Sequence, residues 1–499
     1  MTVAQLIRGA SPKTISLLRV NSLLAPALAL CSWISLNPYF LWGLSRHMSL
    51  AGMVAGIIAI LAFIAGDRPR KGEVIGFTMI VLFTIYISFL PKADGGLTRW
   101  YFVLPTMLAL FIFEDERRAD LVKAFSFIFA LSVLPGVIVS LCSIIGIYIS
   151  FDHKPLLNPV MAAAGGYYLN VPGVLLLGNN VSSLPWGGAL YRLCAVYDEP
   201  GMVGTIAAFL LAARRFRIKS PVSVIVFAAG LLSFSLAFAV LTVAGFAARV
   251  VLARSAKAII PLALCILAGL LAAGVIKPDA APGQPAVTAD KISNMAIAAQ
   301  SDRSASPEAE PADRQEKVLR DHVRHPGPTQ VRKEKGSGDF SNKNIDIKSE
   351  PARLEEHESL VVASGSTLRQ TQYINNRSLP EMQKLINDYW SSDFKTLMLG
   401  VSSDASVVYG GVSQVVTRIF TDFGIVGMLL FAGAMILLAI AVLRRADYPI
   451  WAALFFALFL LSVYQRPVVW MPYAFTLFIC CPVLAAMELP KRRKSESIS

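Results

Sequence analysis

Residues 191–201, Tyr-Arg-Leu-Cys-Ala-Val-Tyr-Asp-Glu-Pro-Gly, bring two carboxylates and a guanidinium to the start of an apolar helix. A carboxylate can take a proton from a reacting hydroxyl, and a guanidinium can bind an oxyanion through paired N–H donors. The apolar run from Gly201 reaches the basic residues 214–217 after about thirteen residues, or roughly 20 Å of helix. Because a hydrocarbon core is about 30 Å thick, we expect Glu199 to lie inside the membrane, where an unpaired charge costs several kcal/mol. Such a position indicates a function for the carboxylate.

The composition places the chain among membrane proteins. Hydrophobic residues make up 55% of it and charged residues 16%, and apolar runs of about 20 residues recur along its length. The net charge of +13 arises from basic clusters that flank these runs, which is the positive-inside pattern and requires no nucleic-acid partner. The six cysteines show no CxxC spacing. The sequence therefore predicts an all-α polytopic membrane protein without a metal or a cofactor.

Twelve apolar segments are predicted to cross the membrane. With the N-terminus in the cytoplasm, the flanking basic clusters all fall on the cytoplasmic side, and the C-terminus is cytoplasmic as well. The predicted spans are residues 23–44, 47–66, 73–91, 99–113, 122–149, 201–213, 221–235, 236–249, 257–276, 423–443, 448–464 and 467–487.

The spans divide the chain into five parts. Spans 1–5 occupy residues 1–149, an outer loop residues 150–200, the short spans 6–9 residues 201–276, a long outer loop residues 277–422, and spans 10–12 with the C-terminal tail residues 423–499. The long loop begins with residues 277–360, which are rich in Ala, Pro, Ser and charged residues. That composition predicts a disordered tether.

Residues 378–422, which follow the tether, are predicted to form amphipathic helices. Ser378 and Glu381 form a capping box ahead of apolar residues at helical spacing up to Trp390. The apolar face could rest on the membrane interface or cover a cavity, and the sequence leaves both open. A second helix at residues 410–422 would place Arg418 at the outer interface.

Two consecutive spans, residues 221–235 and 236–249, are each only about 20 Å long. The turn between them, which contains Ser233 and Ser235, should therefore lie below the outer surface. An irregular turn at that depth requires protein or a water-filled cavity around it. We therefore expect an outward-opening cavity with Glu199, Ser233 and Ser235 at its floor.

In this order and topology, the motifs of the chain resemble those of the Wzy-type O-antigen and exopolysaccharide polymerases, which are related to the O-antigen ligases. The resemblance covers most of the chain. It rests on Arg192 before Tyr-Asp-Glu-Pro-Gly at 197–201, on the Ser-x-Ser turn at 233–235, and on the large outer loop. It also includes the stretch from Arg377 through Trp390 to Leu-Gly-Val at 399–401, and Asp-Phe-Gly-Ile-Val-Gly at 422–427 entering a span.

The resemblance implies a metal-independent, GT-C-like glycosyltransferase at the periplasmic face of the bacterial inner membrane. It would polymerise oligosaccharide repeat units carried on polyprenyl diphosphate into O-antigen, capsule or exopolysaccharide, with membrane lipids and a chain-length regulator as further partners. In that reaction Glu199 would be the catalytic base, with Asp198 as the second candidate. The residues expected to bind the diphosphate are Arg192, Arg377, Arg418 and Arg466, and those expected to line the cavity are Tyr197, Pro200, Gly201, Ser233, Ser235 and Trp390.

Each of these residues also has a simpler interpretation. Glu-Pro is an ordinary helix start, in which the helix dipole favours the acid. Arg377 and Arg418 could anchor the chain at the interface or contact phospholipid. Ser233 and Ser235 could satisfy backbone groups of the turn.

Two other functions fit parts of the sequence. An O-antigen ligase would transfer glycan to a lipid A core, but ligase-like relatives carry a histidine in the last outer loop, and residues 409–413 have none. The chain also lacks the basic residue that many relatives carry just after the Ser-x-Ser turn, where Leu236 and Ala237 stand. A flippase or transporter of the same lipid-linked sugars would suit twelve spans with buried charges, although the sequence shows no internal repeat.

Overall fold

The computed structural model describes residues 12–42, 44, 46–92, 102–156, 167–184, 186–272, 380–402, 415–463 and 470–487. Chain contacts divide the protein into a large unit, Met1–Ala280 with Arg369–Ser499, and a second unit, Ala281–Leu368. The second unit and the predicted tether at 277–360 lie outside the described residues.

The described residues form fourteen α-helices and four β-strands, so this part of the chain is mostly helical. The helices are α1 (Pro12–Ile34), α2 (His47–Ile64), α3 (Val74–Phe89), α4 (Val103–Ile112), α5 (Asp115–Ile144), α6 (Pro200–Ala213), α7 (Pro221–Leu232), α8 (Leu236–Ala253), α9 (Ile259–Ala272), α10 (Pro380–Trp390), α11 (Phe394–Leu399), α12 (Val415–Arg445), α13 (Pro449–Val463) and α14 (Pro472–Ala486). The strands are β1 (Asp152–Pro155), β2 (Tyr167–Val171), β3 (Val174–Ser183) and β4 (Ala189–Ala195).

Five of the described helices are long and apolar enough to cross a membrane. They lie at His47–Ile64, Lys71–Phe89, Asp115–Ile144, Leu236–Ala253 and Thr417–Arg445. Seven further described helices are apolar but shorter, with 10–17 residues. Each of the twelve predicted spans overlaps one of these five long or seven shorter helices. Helix length and composition indicate a membrane-embedded protein, whereas twelve crossings stay a prediction.

The eighth predicted span is longer than expected. The prediction ends it at residue 249, but α8 continues to Ala253 and has 18 residues. Arginine is a good helix former, and Nη1 of Arg249 donates a hydrogen bond to the carbonyl oxygen of Phe216. The arginine therefore stays within the helix instead of ending it. The two helices before it are short as predicted, since α6 has 14 residues and α7 has 12.

Residues 152–195 contain a four-stranded antiparallel sheet, which corrects the all-α prediction. The strand order is β1-β2-β3-β4, so each strand pairs with the next one along the chain. Sequential pairing of this kind needs only short connections. The first predicted outer loop is therefore a folded element rather than a plain connection.

Both faces of the sheet are covered at β2, β3 and β4, whereas the four residues of β1 are exposed. On one face, Gly136 of α5 lies directly against Leu193 and Ala195 of β4. On the other face, the buried side chains Tyr168, Leu175 and Cys194 pack against Tyr39 and Trp42. A sheet that is covered on both faces lacks the regular alternation of apolar and polar residues by which strands are recognised. The sequence pattern therefore gave no sign of these strands.

Helices α3 and α12 pack closely along their length. At three levels a glycine of one helix lies against a bulky side chain of the other. The pairs are Gly76 with Leu438, Gly433 with Met79, and Gly427 with Tyr86. Small residues at such positions let two helix backbones approach, which is typical of packing within membranes.

A network of buried ion pairs joins the starts of α3 and α5 to the end of α12. The guanidinium of Arg118 is fully buried and donates to both carboxylate oxygens of Glu73, at 2.8 and 2.6 Å. Arg445 lies 2.5 Å from Glu73 and 3.2 Å from Asp115. The end of the helices that carries this network is the arginine side of the molecule, and the end beside the sheet is the sheet side.

Candidate active site

The segment between β4 and α6 carries the two candidate carboxylates, Asp198 and Glu199, which are both partly buried. Glu199 stands at the N-cap position of α6 in an extended conformation (φ −132°, ψ 135°), and Pro200 is the first residue of the helix. The Glu199 side chain makes no capping hydrogen bond. An ordinary N-cap side chain accepts a hydrogen bond from the first turn. The carboxylate of Glu199 therefore does not serve as a hydrogen-bonding cap.

Hydrogen bonds from other elements fix the backbone that leads to Glu199. The phenol of Tyr168 in β2 donates a hydrogen bond of 2.7 Å to the carbonyl oxygen of Asp198. The N–H group of Tyr39 donates one of 2.8 Å to the carbonyl oxygen of Val196. The sheet and the segment after α1 thus set the position of the carboxylates.

Tyr197 is fully buried beside this backbone. Its hydroxyl accepts a hydrogen bond of 2.9 Å from Nε1 of Trp33 and shares another of 2.8 Å with Ser132. Burial raises the pKa of Tyr197 above the ordinary value of a phenol. Tyr197, which the sequence placed among the cavity-lining residues, connects α1 and α5 to the segment before Glu199.

Arg192 projects from the same sheet face as Tyr168. Leu177 of β3 lies directly opposite Tyr168 on one side and Arg192 on the other. Because residues directly opposite each other point to the same face of a sheet, all three side chains share a face. Nε of Arg192 donates a long hydrogen bond of 3.5 Å to the carbonyl oxygen of Ser233. The guanidinium therefore stands beside the Ser-x-Ser turn, close to where the resemblance led us to expect a basic residue.

The pKa of the buried thiol of Cys194 responds to three charges of this region. Burial is the largest effect and raises the pKa of the thiol. The positive charge of Arg192 acts against this increase, and the negative charges of Asp198 and Glu199 add to it. Because three charges act on one side chain, Arg192, Asp198 and Glu199 share one small region of the molecule.

The Ser-x-Ser turn packs against the first turn of α6. A Cβ atom at Gly204 would lie 2.7 Å from Cβ of Ser235 and 2.9 Å from Oγ of Ser233. Both serine side chains are buried and bond to the backbone of their own turn, at 2.7 Å for Ser233 and 3.5 Å for Ser235. Phe234 between them has a φ of 43°, in the left-handed region. The turn therefore lies level with the start of α6, one helical turn from Glu199.

A second charged group lies at the sheet-side end of α12. Nε of Arg418 is 3.1 Å from Oδ2 of Asp422, and the guanidinium carbon is 5.1 Å from the ring centre of Trp470. The carboxylate is fully buried, and the arginine side chain is 11% exposed. A simple interfacial anchor would extend into the headgroup region. Arg418 is instead held in one orientation by an anion and an aromatic ring.

Two glycine motifs pack on each other next to this pair. Gly400 and Gly424 both adopt the left-handed region, with φ of 87° and 65°. The Tyr86 hydroxyl of α3 lies 2.9 Å from the carbonyl oxygens of both Leu399 and Phe423. The Leu-Gly-Val and Asp-Phe-Gly motifs, which are separated in the sequence, therefore form one contact.

The end of α1 contacts the segment that carries Glu199 and the segment that packs on Arg418. Trp33 bonds to Tyr197, as described above, and Oγ of Ser35 accepts a hydrogen bond of 2.9 Å from the N–H group of Tyr473. Tyr473 follows closely after Trp470, on which Arg418 packs. One helix end thus joins the Glu199 segment to the segment of Trp470, which packs on Arg418.

The remaining predicted site residues have different positions. Arg377 and Arg466 lie outside the described residues, and their roles stay predictions. Pro200 is buried and Gly201 partly buried at the start of α6. Trp390 is 55% exposed at the end of α10.

The second predicted amphipathic helix, at 410–422, corresponds in its described part to the first section of α12, which begins at Val415. A kink at Gly424, where φ and ψ are non-helical (65° and −170°), separates this section from the rest of α12. A residue in this conformation, which is essentially restricted to glycine, interrupts the helical path of the backbone. Here the Tyr86 hydroxyl lies within hydrogen-bonding distance of the carbonyl oxygen of Phe423 at the bend, and the chain resumes its helical course.

Several residues of the site were not identified from the sequence. Asp422 stands four residues after Arg418, a spacing at which opposite charges pair on a helix. This partner of Arg418 could therefore have been predicted from the sequence. The other missed residues are joined to the site only by long-range contacts, which spacing does not reveal. They are Trp33, Tyr86, Ser132, Tyr168 and Trp470.

A cavity of about 260 Å³ lies at the arginine side, lined by Asp67, Glu114, Glu116, Arg117 and Asp120 among others. Four carboxylates facing one guanidinium repel an anionic substrate such as a diphosphate. This cavity is therefore not the one expected above Glu199, which stays a prediction.

The chain has no significant match among protein-family models, curated proteins or solved structures. A function for it therefore rests on the geometry of its own residues and on the motifs of its sequence.

Proposed function

We propose that this protein is a metal-independent membrane glycosyltransferase that polymerises oligosaccharide repeat units carried on polyprenyl diphosphate, as the Wzy-type polymerases do. The observation that supports it best is the position of Glu199. This partly buried carboxylate stands at the N-cap of α6, where Tyr168 and Tyr39 fix the backbone before it, and it lies in the same region as Arg192. A base and a cation that binds an oxyanion are the groups that such a transfer uses.

In the proposed reaction, a hydroxyl of the acceptor glycan attacks the anomeric carbon of the donor sugar. A carbon–oxygen bond forms between the two glycans, the bond from the anomeric carbon to the diphosphate oxygen breaks, and the electron pair leaves with the diphosphate. Glu199 takes the hydroxyl proton. Asp198, whose carbonyl group is held by Tyr168, is the alternative base.

The arginines stabilise the leaving diphosphate. Arg192 provides a guanidinium beside the Ser-x-Ser turn. Arg418 is oriented by Asp422 and Trp470 before the substrate arrives. A cation that is already in place stabilises developing negative charge without reorganising. Arg377 and Arg466 are further candidates for the same role.

We also propose the orientation of the protein in the bacterial inner membrane. Arg118, Arg215 and Arg445 all bond to groups at the arginine side, and basic residues favour the cytoplasm. This orientation places the sheet, Glu199 and Arg418 on the periplasmic side. It keeps both termini cytoplasmic, with twelve helices crossing in a GT-C-like arrangement.

The proposal is tested with the protein purified in detergent and a single repeat unit on polyprenyl diphosphate as the substrate. No nucleotide is added, and the glycans are separated on a gel. A ladder in which each band is one repeat unit longer is the expected result. Transfer of glycan onto an added lipid A core without a ladder would identify a ligase. Movement of the lipid-linked sugar across proteoliposomes without a ladder would identify a transporter.

A further inference from the structure

Helix α10 packs on the protein through one face. Leu385 and Tyr389, one turn apart, are 5% and 1% exposed. The Tyr389 hydroxyl donates a hydrogen bond of 2.7 Å to the carbonyl oxygen of Leu397 in α11. The two short helices therefore form one arm, which is held against α12.

The two flanks of α10 differ in chemistry. At about 100° per residue, Ile386 and Trp390 lie on one flank, and Lys384 and Asp388 lie on the other. Lys384 and Asp388 are exposed. Trp390 is 55% exposed, with its ring 5.6 Å from that of Phe420 in α12. The arm thus presents a polar flank and an aromatic flank.

Further exposed apolar side chains follow Trp390 along the chain. Phe394 is 78% exposed, and Leu399 and Val401 are 37% and 38% exposed. Single exposed apolar residues are common on proteins, whereas several on one short segment indicate an interaction surface. Trp390, Phe394, Leu399 and Val401 lie close together in the sequence and are together called the apolar patch.

The contact between Tyr86 and Leu399 places the apolar patch at a known distance along α3. It lies about twelve residues after Val74, or about 18 Å along the helix. Its hydroxyl is 2.9 Å from the carbonyl oxygen of Leu399. A hydrocarbon core about 30 Å thick that begins near Val74 therefore extends past the level of Leu399. Exposed apolar side chains of α3 lie on both sides of this level, at Leu82 and Ile85 before Tyr86 and at Phe89 after it.

We infer that the arm formed by α10 and α11 docks on the lipid bilayer at the sheet side through this apolar patch. The occupant is lipid because the patch is apolar and exposed, and because its Leu399 end lies at a level that a hydrocarbon core beginning near Val74 reaches. Tryptophan favours this region, since its ring is apolar and its N–H group is polar. The flank with Lys384 and Asp388 faces water.

Photo-crosslinking in phosphatidylethanolamine and phosphatidylglycerol vesicles tests the inference. The variants Trp390→p-benzoylphenylalanine and Phe394→p-benzoylphenylalanine are irradiated, and phospholipid adducts are measured by mass spectrometry. Asp388, on the opposite flank of α10, is the matched control position, and Leu429, 64% exposed within α12, is the lipid-facing reference. We expect adducts at positions 390, 394 and 429, and about tenfold fewer at position 388.

Adducts at position 429 without adducts at positions 390 and 394 would overturn the inference. Equal yields at positions 388 and 390 would also overturn it, because the helix would then have no lipid-facing flank. So would crosslinks from position 390 to the sugars of an added lipid-linked glycan in place of phospholipid, which would assign the patch to the substrate. The Phe394 variant keeps the phenyl ring, so it tests the arm even if the Trp390 variant fails to fold.

Discussion

Asp422 holds Arg418 from one turn further along α12, with its Oδ2 atom 3.1 Å from Nε of the guanidinium. The ring of Trp470 lies on the guanidinium, 5.1 Å from its central carbon. The cation is thus held by α12 itself and by the segment before α14. The orientation of a proposed substrate-binding group depends on a carboxylate that is itself fully buried.

The first prediction concerns this pair. Asp422→Asn keeps the size of the side chain but removes the charge that orients Arg418, so we expect elongation to slow by at least about tenfold, or about 1.4 kcal/mol. The rate is measured in the detergent assay described above. Asp388→Asn, at an exposed position of α10, should leave it unchanged. An unaltered rate in Asp422→Asn would mean that the orientation of Arg418 does not matter for elongation.

The second prediction concerns the contact between α6 and the Ser-x-Ser turn. Gly204→Ala places a methyl group 2.7 Å from Cβ of Ser235, so the turn must move. We expect the free energy of unfolding to fall by roughly 1–3 kcal/mol, as for other overpacked sites. Gly72→Ala is the control, because no heavy atom lies within 4 Å of the added methyl group. Equal melting temperatures of the two variants in detergent would contradict the contact.

The third prediction concerns the arginine side. Glu73→Gln leaves the buried guanidinium of Arg118 without its bidentate partner, and such a loss destabilises by about 3–5 kcal/mol. The Asp120–Lys123 pair has a similar distance, 2.7 Å, but is 62% and 53% exposed. Exposed pairs contribute about 0–1 kcal/mol, so Asp120→Asn should barely change the melting temperature. Similar effects of the two substitutions would show that the buried network does not hold the helices together.

The fourth prediction concerns the reactivity of Cys194. Burial raises the pKa of this thiol, so its reactive thiolate form stays scarce at neutral and mildly alkaline pH. We expect no modification by N-ethylmaleimide at about pH 8 in the native protein, and complete modification after unfolding. Cys142, which is partly exposed, provides the comparison within the same sample. Native Cys194 reacting as fast as Cys142 in a mass spectrum would contradict the burial of this region.

The positions of the helices could be predicted from the sequence, because long apolar runs bounded by charged clusters directly reflect burial in lipid. The sheet at 152–195 could not, because α5 covers one face and Tyr39 and Trp42 cover the other. Strand pairing depends on long-range contacts. The alternation of apolar and polar residues reveals a strand only when one face of the sheet is exposed to solvent.

The candidate site was predicted in part. The charged groups at 192, 198 and 199 stood close together in the sequence, and the structure keeps them in one region. The contacts that orient them come from Trp33, Ser132 and Tyr168, which carry no local signal. The pairing of Arg418 with Asp422 was visible in their spacing, whereas the ring of Trp470 required the folded chain.

The most direct test of the proposed mechanism is chain extension by Glu199→Gln. Glutamine keeps the size of the side chain but cannot take the proton of an acceptor hydroxyl, and loss of a general base typically slows a reaction by about 10²–10⁴-fold. We predict that the glycan ladder disappears while membrane insertion and melting temperature match those of Asp120→Asn. A ladder of normal length and rate from Glu199→Gln would contradict the assignment of Glu199 as the base.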